Sequence, residues 1–178
     1  MISIRAPLAS DADALYPLLA QTGVTDTLLW DGPESVEGYR ESWRATAERT
    51  ARGEAHAFVI VESATGAAVG TANVRPISGL GGPKAFRAEL GLWIGVPFQG
   101  RGLGTLAVHE LLSYGFGSLA LEKIEASVFV GNEASRRIFL KNGFSLEGTI
   151  RRAVHKRGKL IDEWLLGILK EDFRSRSA

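Results

Sequence analysis

The clearest chemistry in the chain lies in one short segment, Gln99-Gly100-Arg101-Gly102-Leu103-Gly104, between an alternating apolar run and a helix-like one. Glycines let backbone amides approach an oxyanion with no Cβ in the way. The first amides of the following helix have no partner inside it and sit at the positive end of its dipole. A pyrophosphate is the natural guest of such a loop, and Arg101 adds a mobile positive charge at its rim. Two other readings stay open. Gly102-Leu103-Gly104-Thr105-Leu106-Ala107 also satisfies the dinucleotide pattern G-x-G-x-x-A, with Glu122 or Glu125 near the distance where an acid contacts ribose. That pattern expects the first strand of a repeated strand–helix unit, whereas several strands precede it here. The third reading is a structural glycine turn. The triphosphate loop G-x-x-x-x-G-K-S/T is absent.

Acid–base candidates are few. Glu89 alternates with Ala88 and Leu90 and shares a face with Gly91 and Trp93. A carboxylate there, beside apolar surface, can have a raised pKa and accept a proton through water; an ordinary ion pair with Arg87 or Arg75 fits the same position. A histidine such as His155 can take a carboxylate's place as base, although a lone histidine is more often structural. Trp30, Asp31, Tyr39 and Trp43 combine aromatic faces with one carboxylate, a set able to receive a cationic amine or simply to pack helices onto a sheet. Cysteine is absent, which excludes disulfides, a thiolate nucleophile and a cysteine metal site. No metal site of any kind is read.

The elements that must position these residues follow from periodicity. Ile2 to Arg5 alternates as a strand, and Ser10 or Asp11 can cap a helix carrying Leu15, Leu18 and Leu19. Residues 35–52 read as a polar helix that Gly53 stops, with Tyr39 and Trp43 on one face. Residues 56–62 and 68–77 alternate as strands around a Thr65-Gly66 turn. A loop occupies residues 78–83, and Ala88, Leu90, Leu92 and Ile94 mark a fourth strand. Gly102 to Gly117 is an amphipathic helix burying Leu103, Leu106, Ala107, Leu111 and Tyr114. Ile124 to Val130 is a fifth strand. Asn132 opens a shorter helix that Gly143 ends, and strands over 145–155 and 160–169 flank a turn at Arg157-Gly158-Lys159. This order describes an α/β (α+β) chain, a single domain over residues 1–178. Its mixed, mostly antiparallel sheet has about seven strands and about four helices. One helical crossover makes the fourth and fifth strands parallel.

Composition is that of an ordinary globular protein, with 45% apolar and 23% charged residues. The formal net charge of +1 points to neither nucleic acid nor an acidic membrane. The basic tail Arg174-Ser175-Arg176 reads as a solvated chain end. Neither a signal peptide nor a membrane span is present in the sequence, so the cytoplasm is the expected compartment.

Gln99, Gly102 and Gly104 resemble the Q/R-x-x-G-x-G/A signature of the GNAT superfamily of N-acetyltransferases. Asn132 to Gly148 (NEASRRIFLKNGFSLEG) resembles the N-x-x-S helix, Gly-Phe turn and E-G strand of its RimJ/RimL-like branch. The likeness covers nearly the whole chain; the first 55 residues match only in general character. It implies acetyl-CoA as cofactor, CoA as product, and an amine as acceptor partner. It also implies a fold whose fourth and fifth strands splay to admit the pantetheine arm. Backbone groups of Trp93, Ile94, Gly95 and Val96 then hold that arm, and the amides of Gln99, Gly100, Arg101, Gly102, Leu103 and Gly104 hold the pyrophosphate. Asn132 resembles the asparagine that contacts the arm, although a plain helix cap reads the same way. Many relatives place a tyrosine seven residues later as the thiol's proton donor; here that position is Phe139, which cannot donate. The branch uses a serine at the position of Ser135, which is therefore the expected donor, or else a small residue that permits close packing. Branch members that carry a carboxylate late in the sixth strand differ from this chain, which reads Ala153-Val154-His155. Asp162 resembles a common Asp of the branch and is expected to fix a loop. The acceptor pocket is expected between the first two helices, residues 79–82 and the turn near residue 158. The implied reaction is direct transfer to a primary amine, with a protein N-terminal α-amine mildly preferred over a small amine. The alternatives are a catalytically inactive acyl-CoA-binding sensor and an NAD(P)-binding oxidoreductase. Homodimers are common among similar proteins.

Overall fold

The computed structural model describes residues 1–21, 23–78 and 84–177. Seven strands form one mixed sheet: β1 (Ile2–Arg5), β2 (Ala57–Glu62), β3 (Ala68–Ile77), β4 (Arg87–Ile94), β5 (Lys123–Phe129), β6 (Ser145–Lys156) and β7 (Lys159–Leu169). Their order is β1-β2-β3-β4-β5-β7-β6. The β4–β5 pair is parallel, as a helical crossover requires, and the other described pairings are antiparallel. Five helices accompany the sheet: α1 (Asp11–Leu19), α2 (Val36–Ala51), α3 (Leu103–Gly117), α4 (Glu133–Lys141) and α5 (Lys170–Ser177). The fifth is one more than the expected four and runs through the tail. Glu171 and Asp172 in its first turn complement the helix dipole. The Phe173 ring lies 5.4 Å from that of His109 and 5.5 Å from that of Phe116.

The chain divides into two compact units, Met1–Asn73 with Leu92–Ala107, and Val74–Gly91 with Val108–Ala178. In the first, Leu15, Leu19, Tyr39, Trp43 and Val59 form a buried cluster, with Trp93 packed against it. The start of α1 is fixed by Asp11. Ser10 occupies the cap position without a side-chain bond, while the Asp11 carboxylate accepts the Leu8 amide at 2.7 Å. It also pairs with the Arg5 guanidinium at 2.6 and 2.8 Å. Burial pushes the Asp11 carboxyl up, but Arg5 and the Leu8 amide together outweigh it and hold the carboxyl low. A lowered folded pKa stabilises the fold above the ordinary Asp value near ~3.9, and that contribution is lost as pH falls through the folded value. Asp11→Asn is therefore expected to cost about 1–2 kcal/mol at neutral pH, the low end for bonds to a charged group because Arg5 is partly solvated. The deficit should shrink below about pH 4. Urea unfolding of both proteins at pH 7 and pH 3 checks this, and an unchanged gap at the two pH values would contradict it.

In the second unit, Leu111, Leu112, Leu121, Ile124, Leu166 and Ile168 are fully buried. Leu106, expected on the buried stripe of α3, is 44% exposed, whereas Leu103, Ala107, Leu111, Leu112 and Phe116 are buried. The inward stripe is thus set by the Leu103-Ala107-Leu111 spacing of four, which turns Leu106 outward. Asp162 fixes irregular backbone, as expected. Its Oδ1 accepts the amide of Arg152 at 2.7 Å, and Arg152 has a left-handed φ of 54° inside the register shift between Ile150 and Val154.

Candidate active site

The cradle is built by a turn and a helix start. After β4, Val96–Phe98 make a short 3-10 turn, and the Gln99 side chain donates to the Ile94 carbonyl at 2.8 Å. This bond folds the loop back onto the end of β4, which accounts for a glutamine in the signature. Gly100 and Gly102 then adopt φ of +73° and +77°. Side chains other than glycine reach that region only at a cost. A Cβ built on either meets nothing within 4 Å, so both glycines border open space. The Gly102 carbonyl accepts the Leu106 amide at 3.2 Å and starts the hydrogen-bonded ladder of α3. The amides of the first turn lack helical acceptors and face outward along the axis. The cradle therefore fits an oxyanion in both shape and charge.

Arg101, expected as a mobile rim charge, is ion-paired to Glu62 on β2, and its guanidinium lies 5.8 Å from the centre of the Phe98 ring. Glu62 also accepts from the Thr65 hydroxyl at 2.9 Å. The Thr65 bond and Arg101 together outweigh burial and hold the Glu62 carboxyl below its ordinary value. Sequence reasoning missed this pair because 39 residues separate its members.

Pairing between β4 and β5 is brief. It runs from Arg87↔Lys123 to Glu89↔Glu125, and no further register pair joins the two strands among the described residues. By contrast, β5 pairs with β7 along its full length, from Lys123 to Phe129. The backbone of β4 beyond Glu89 is thus not committed to β5, which is the opening expected of splayed strands. Trp93 is half-buried, Ile94 is buried, and the Gly95 amide donates to the Val69 carbonyl at 2.9 Å. Val96 is exposed.

At the start of α4, Asn132 is the cap. Its side chain accepts the Ser135 amide at 3.1 Å, leaving the amide NH2 to donate elsewhere. Ser135 is half-buried one turn into the helix. Phe139 is buried edge-on against Phe144, with ring centres 5.1 Å apart, and acts as core.

Charge on the sheet face around Glu89 is densely paired. Residues in register share a face, so Arg87, Glu89, Lys123, Glu125, Phe129 and Glu163 point one way. Glu89 pairs with Arg75 at 2.5 Å, and Glu125 with Arg87 at 2.9 Å and Lys123 at 3.0 Å. Glu163 on β7 is only 8% exposed, and no hydrogen bond or ion pair joins its carboxylate to a described residue. Burial raises its pKa, and the charge of Glu89 raises it further. Sequence reasoning singled out Glu89 for this property and passed over Glu163. The available signal was its place on one face of the strand between Ile161 and Leu165, two positions to either side.

The remaining candidates separate. Tyr39 and Trp43 belong to the buried cluster of the first unit, and the Trp43 indole donates to the Leu8 carbonyl at 3.0 Å. Trp30 and Asp31 are exposed. His155 is exposed on β6, opposite Leu160. Segment 79–82, expected to wall a pocket, lies outside the described residues. Among the described residues no cluster of metal-ligating side chains occurs, and no helix is long and apolar enough to cross a membrane. The dinucleotide reading fails on topology. The glycine loop follows the fourth strand, and after β5 the chain returns to antiparallel pairing instead of repeating a parallel unit.

The fold coincides with that of known proteins. The acetyltransferase (GNAT) domain matches residues 2–145, and the chain belongs to that family. It is an acetyl-CoA-dependent N-acetyltransferase by class. It is 29% identical over 172 residues to the uncharacterized N-acetyltransferase p20 of Bacillus licheniformis, covering 97% of this chain and 94% of that one. Its fold is similar to a GNAT-family acetyltransferase from Bacillus anthracis, with a TM-score of 0.83, 21% identity and coverage of 96% and 95%. A spermidine N-acetyltransferase from Vibrio cholerae, solved with CoA and spermine, gives a TM-score of 0.82 at 20% identity, covering 97% and 98%.

Proposed function

We propose that this chain transfers acetyl from acetyl-CoA directly to a primary amine, holding the donor with the Gln99–Gly104 cradle. The observation that carries the reading is the pair of left-handed glycines, Gly100 and Gly102, bordering open space at the start of α3. Amides of Gln99 to Gly104 bind the pyrophosphate, backbone groups of Trp93 to Val96 orient the arm, and the Asn132 side-chain NH2 adds a donor. Bound acetyl-CoA supplies the thioester carbonyl that the amine attacks and the thiolate that leaves. The Ser135 hydroxyl donates a proton toward the departing sulfur. A carboxylate of the face shared by Glu89 and Glu163 takes the proton from the amine.

The acceptor's own pKa bears on its identity. An α-amino group titrates near ~7.7–8.0 and is substantially neutral at physiological pH, whereas amines near ~10.4 are almost wholly charged. An α-amine needs less help from a base, and a protein N-terminus is the acceptor we favour. Spermine, named with the Vibrio cholerae relative, represents the charged class.

Calorimetric titration with acetyl-CoA, using NAD as control, tests the donor. Micromolar or tighter binding of acetyl-CoA and none of NAD is expected; binding of neither CoA nor acetyl-CoA by folded protein overturns the proposal. Turnover of an alanine-initiated peptide or of spermine separates an enzyme from an acyl-CoA sensor. Ser135→Ala should lower kcat about 10–100-fold, the lower range for loss of a proton donor, with acetyl-CoA affinity held. Full turnover in that variant removes Ser135 from the chemistry.

A further inference from the structure

We propose that Glu163 on β7 is the carboxylate that receives the acceptor's proton, while Glu89 serves as its charged, positioning neighbour; this rests on the acetyltransferase reading above. The two carboxylates share one face of the second unit, and their surroundings differ. Glu89 is 29% exposed in its side chain and locked to Arg75, so its negative charge already has a partner. Glu163 is buried, stands in register with Phe129 on β5 and Ile150 on β6, and has no cation of its own among the described residues.

The charged groups described on this face toward β4 are paired, and Lys156 and Lys159 stand in register with each other beyond Ile161. Arg75 holds Glu89, Arg87 and Lys123 hold Glu125, and Lys123 also holds Glu147 at 2.7 Å. The helices of this unit pack on the opposite face. Gly115 of α3 lies against Ile124, Arg136 of α4 stacks over Trp164 at 4.7 Å, and Phe173 of α5 meets His109. No described helix cation pairs with Glu163. A buried carboxylate beside a fixed negative charge has its proton affinity raised toward neutrality, where a general base works best.

The proton balance is direct. An ammonium acceptor gives one proton to Glu163, breaking an N–H bond and forming a carboxyl O–H. The neutral nitrogen forms the C–N bond to the acetyl carbon as the C–S bond breaks. The second nitrogen proton replaces the one that Ser135 delivers to sulfur, and Glu163 returns its proton to solvent. The net products are amide, thiol and one proton. A cationic amine is attracted by the uncompensated Glu163 charge and deprotonated by it, so the site suits amines that are protonated in solution as well as partly neutral ones.

Two measurements decide the matter. In the first, the protein free of ligands is labelled with 13C at the glutamate carboxyls and titrated by NMR. One resonance, missing in Glu163→Gln, should titrate above the ordinary glutamate range and move to lower pH in Glu89→Gln, where the neighbouring charge is gone. A Glu163 resonance in the ordinary range, or one unmoved by Glu89→Gln, overturns the proposal. In the second, acetylation of spermine and of an alanine-initiated peptide is followed across pH. Glu163→Gln should lower kcat about 100-fold or more with unchanged acetyl-CoA affinity. The acid limb of kcat should track the NMR midpoint and shift with Glu89→Gln, a response that a purely structural glutamate would not produce. Full turnover by Glu163→Gln overturns the role. Absence of turnover by the wild type with either amine tells against the acetyltransferase reading instead, and the NMR titration then decides the state of Glu163 alone.

Discussion

Gly70→Ala is expected to destabilise the fold by about 3 kcal/mol or more, at the upper end of what overpacking costs. Gly70 lies in β3, in register with Ile60 of β2. A Cβ there would fall on the carbonyl oxygen of Trp93 and come within 3.0 Å of Ile94 Cα. Both obstacles are backbone, so no rotamer change relieves them. The strands must part, and the Gly95–Val69 bond beside the contact is strained with them. In a chain of this size the loss corresponds to a fall of about 6–12 °C in Tm. Gly148→Ala is the control, since a Cβ on that strand glycine meets nothing within 4 Å. Thermal unfolding of both variants checks the expectation. Equal melting temperatures would contradict the close approach of β3 to the end of β4.

Gly102→Val should behave in the opposite way, sparing the fold and removing the ligand. The position has φ of +77°, and nothing lies near its absent Cβ. A β-branched residue pays about 1–2 kcal/mol to stay left-handed, enough to lower Tm by only a few degrees. Its methyl groups then occupy the space that the proposed pyrophosphate needs. Loss of one amide–phosphate bond costs about 1.5–3 kcal/mol, so acetyl-CoA affinity should fall about 10–150-fold. Calorimetry on folded variant protein reads this directly. Affinity within about threefold of wild type would show that the phosphate contacts lie elsewhere.

Periodicity carried the architecture well because most strands here alternate cleanly. The strand expected over 56–62 is β2 at Ala57–Glu62, and the one expected over 68–77 is β3 at Ala68–Ile77. The parallel pair followed from a helix lying between two strands. What periodicity could not supply was partnership. Glu89 and Glu163 both stand among apolar strand residues; a pair with Arg87 or Arg75 was open for Glu89, and the fold shows that Arg75 takes it while no described cation holds Glu163. Arg101 looked free for the same reason, since Glu62 lies on a distant strand. Tyr39 and Trp43 were legible as a helix face that either packs or receives an amine, and the packing reading is the one their burial bears out. Residues that act through the backbone, such as Gly100 and Gly102, were the most legible of the site, since few other residues adopt their conformation.

Gly167 has a bearing on how the sheet shares its charge. The register shift between Leu146 and Gly148 releases Glu147 from the ladder, and its side chain crosses β7 directly over Gly167, where any Cβ would meet the carboxylate. This saddle lets Glu147, on edge strand β6, reach Lys123 on β5. Lys123 touches Glu125, and Glu125 holds Arg87 on β4. An unbroken relay of alternating charge therefore spans four adjacent strands through one missing methyl group. The Lys123 ammonium is thus held above its ordinary value chiefly by a carboxylate from the far rim of the sheet, and a substitution at Gly167 would release it without replacing a single charged residue.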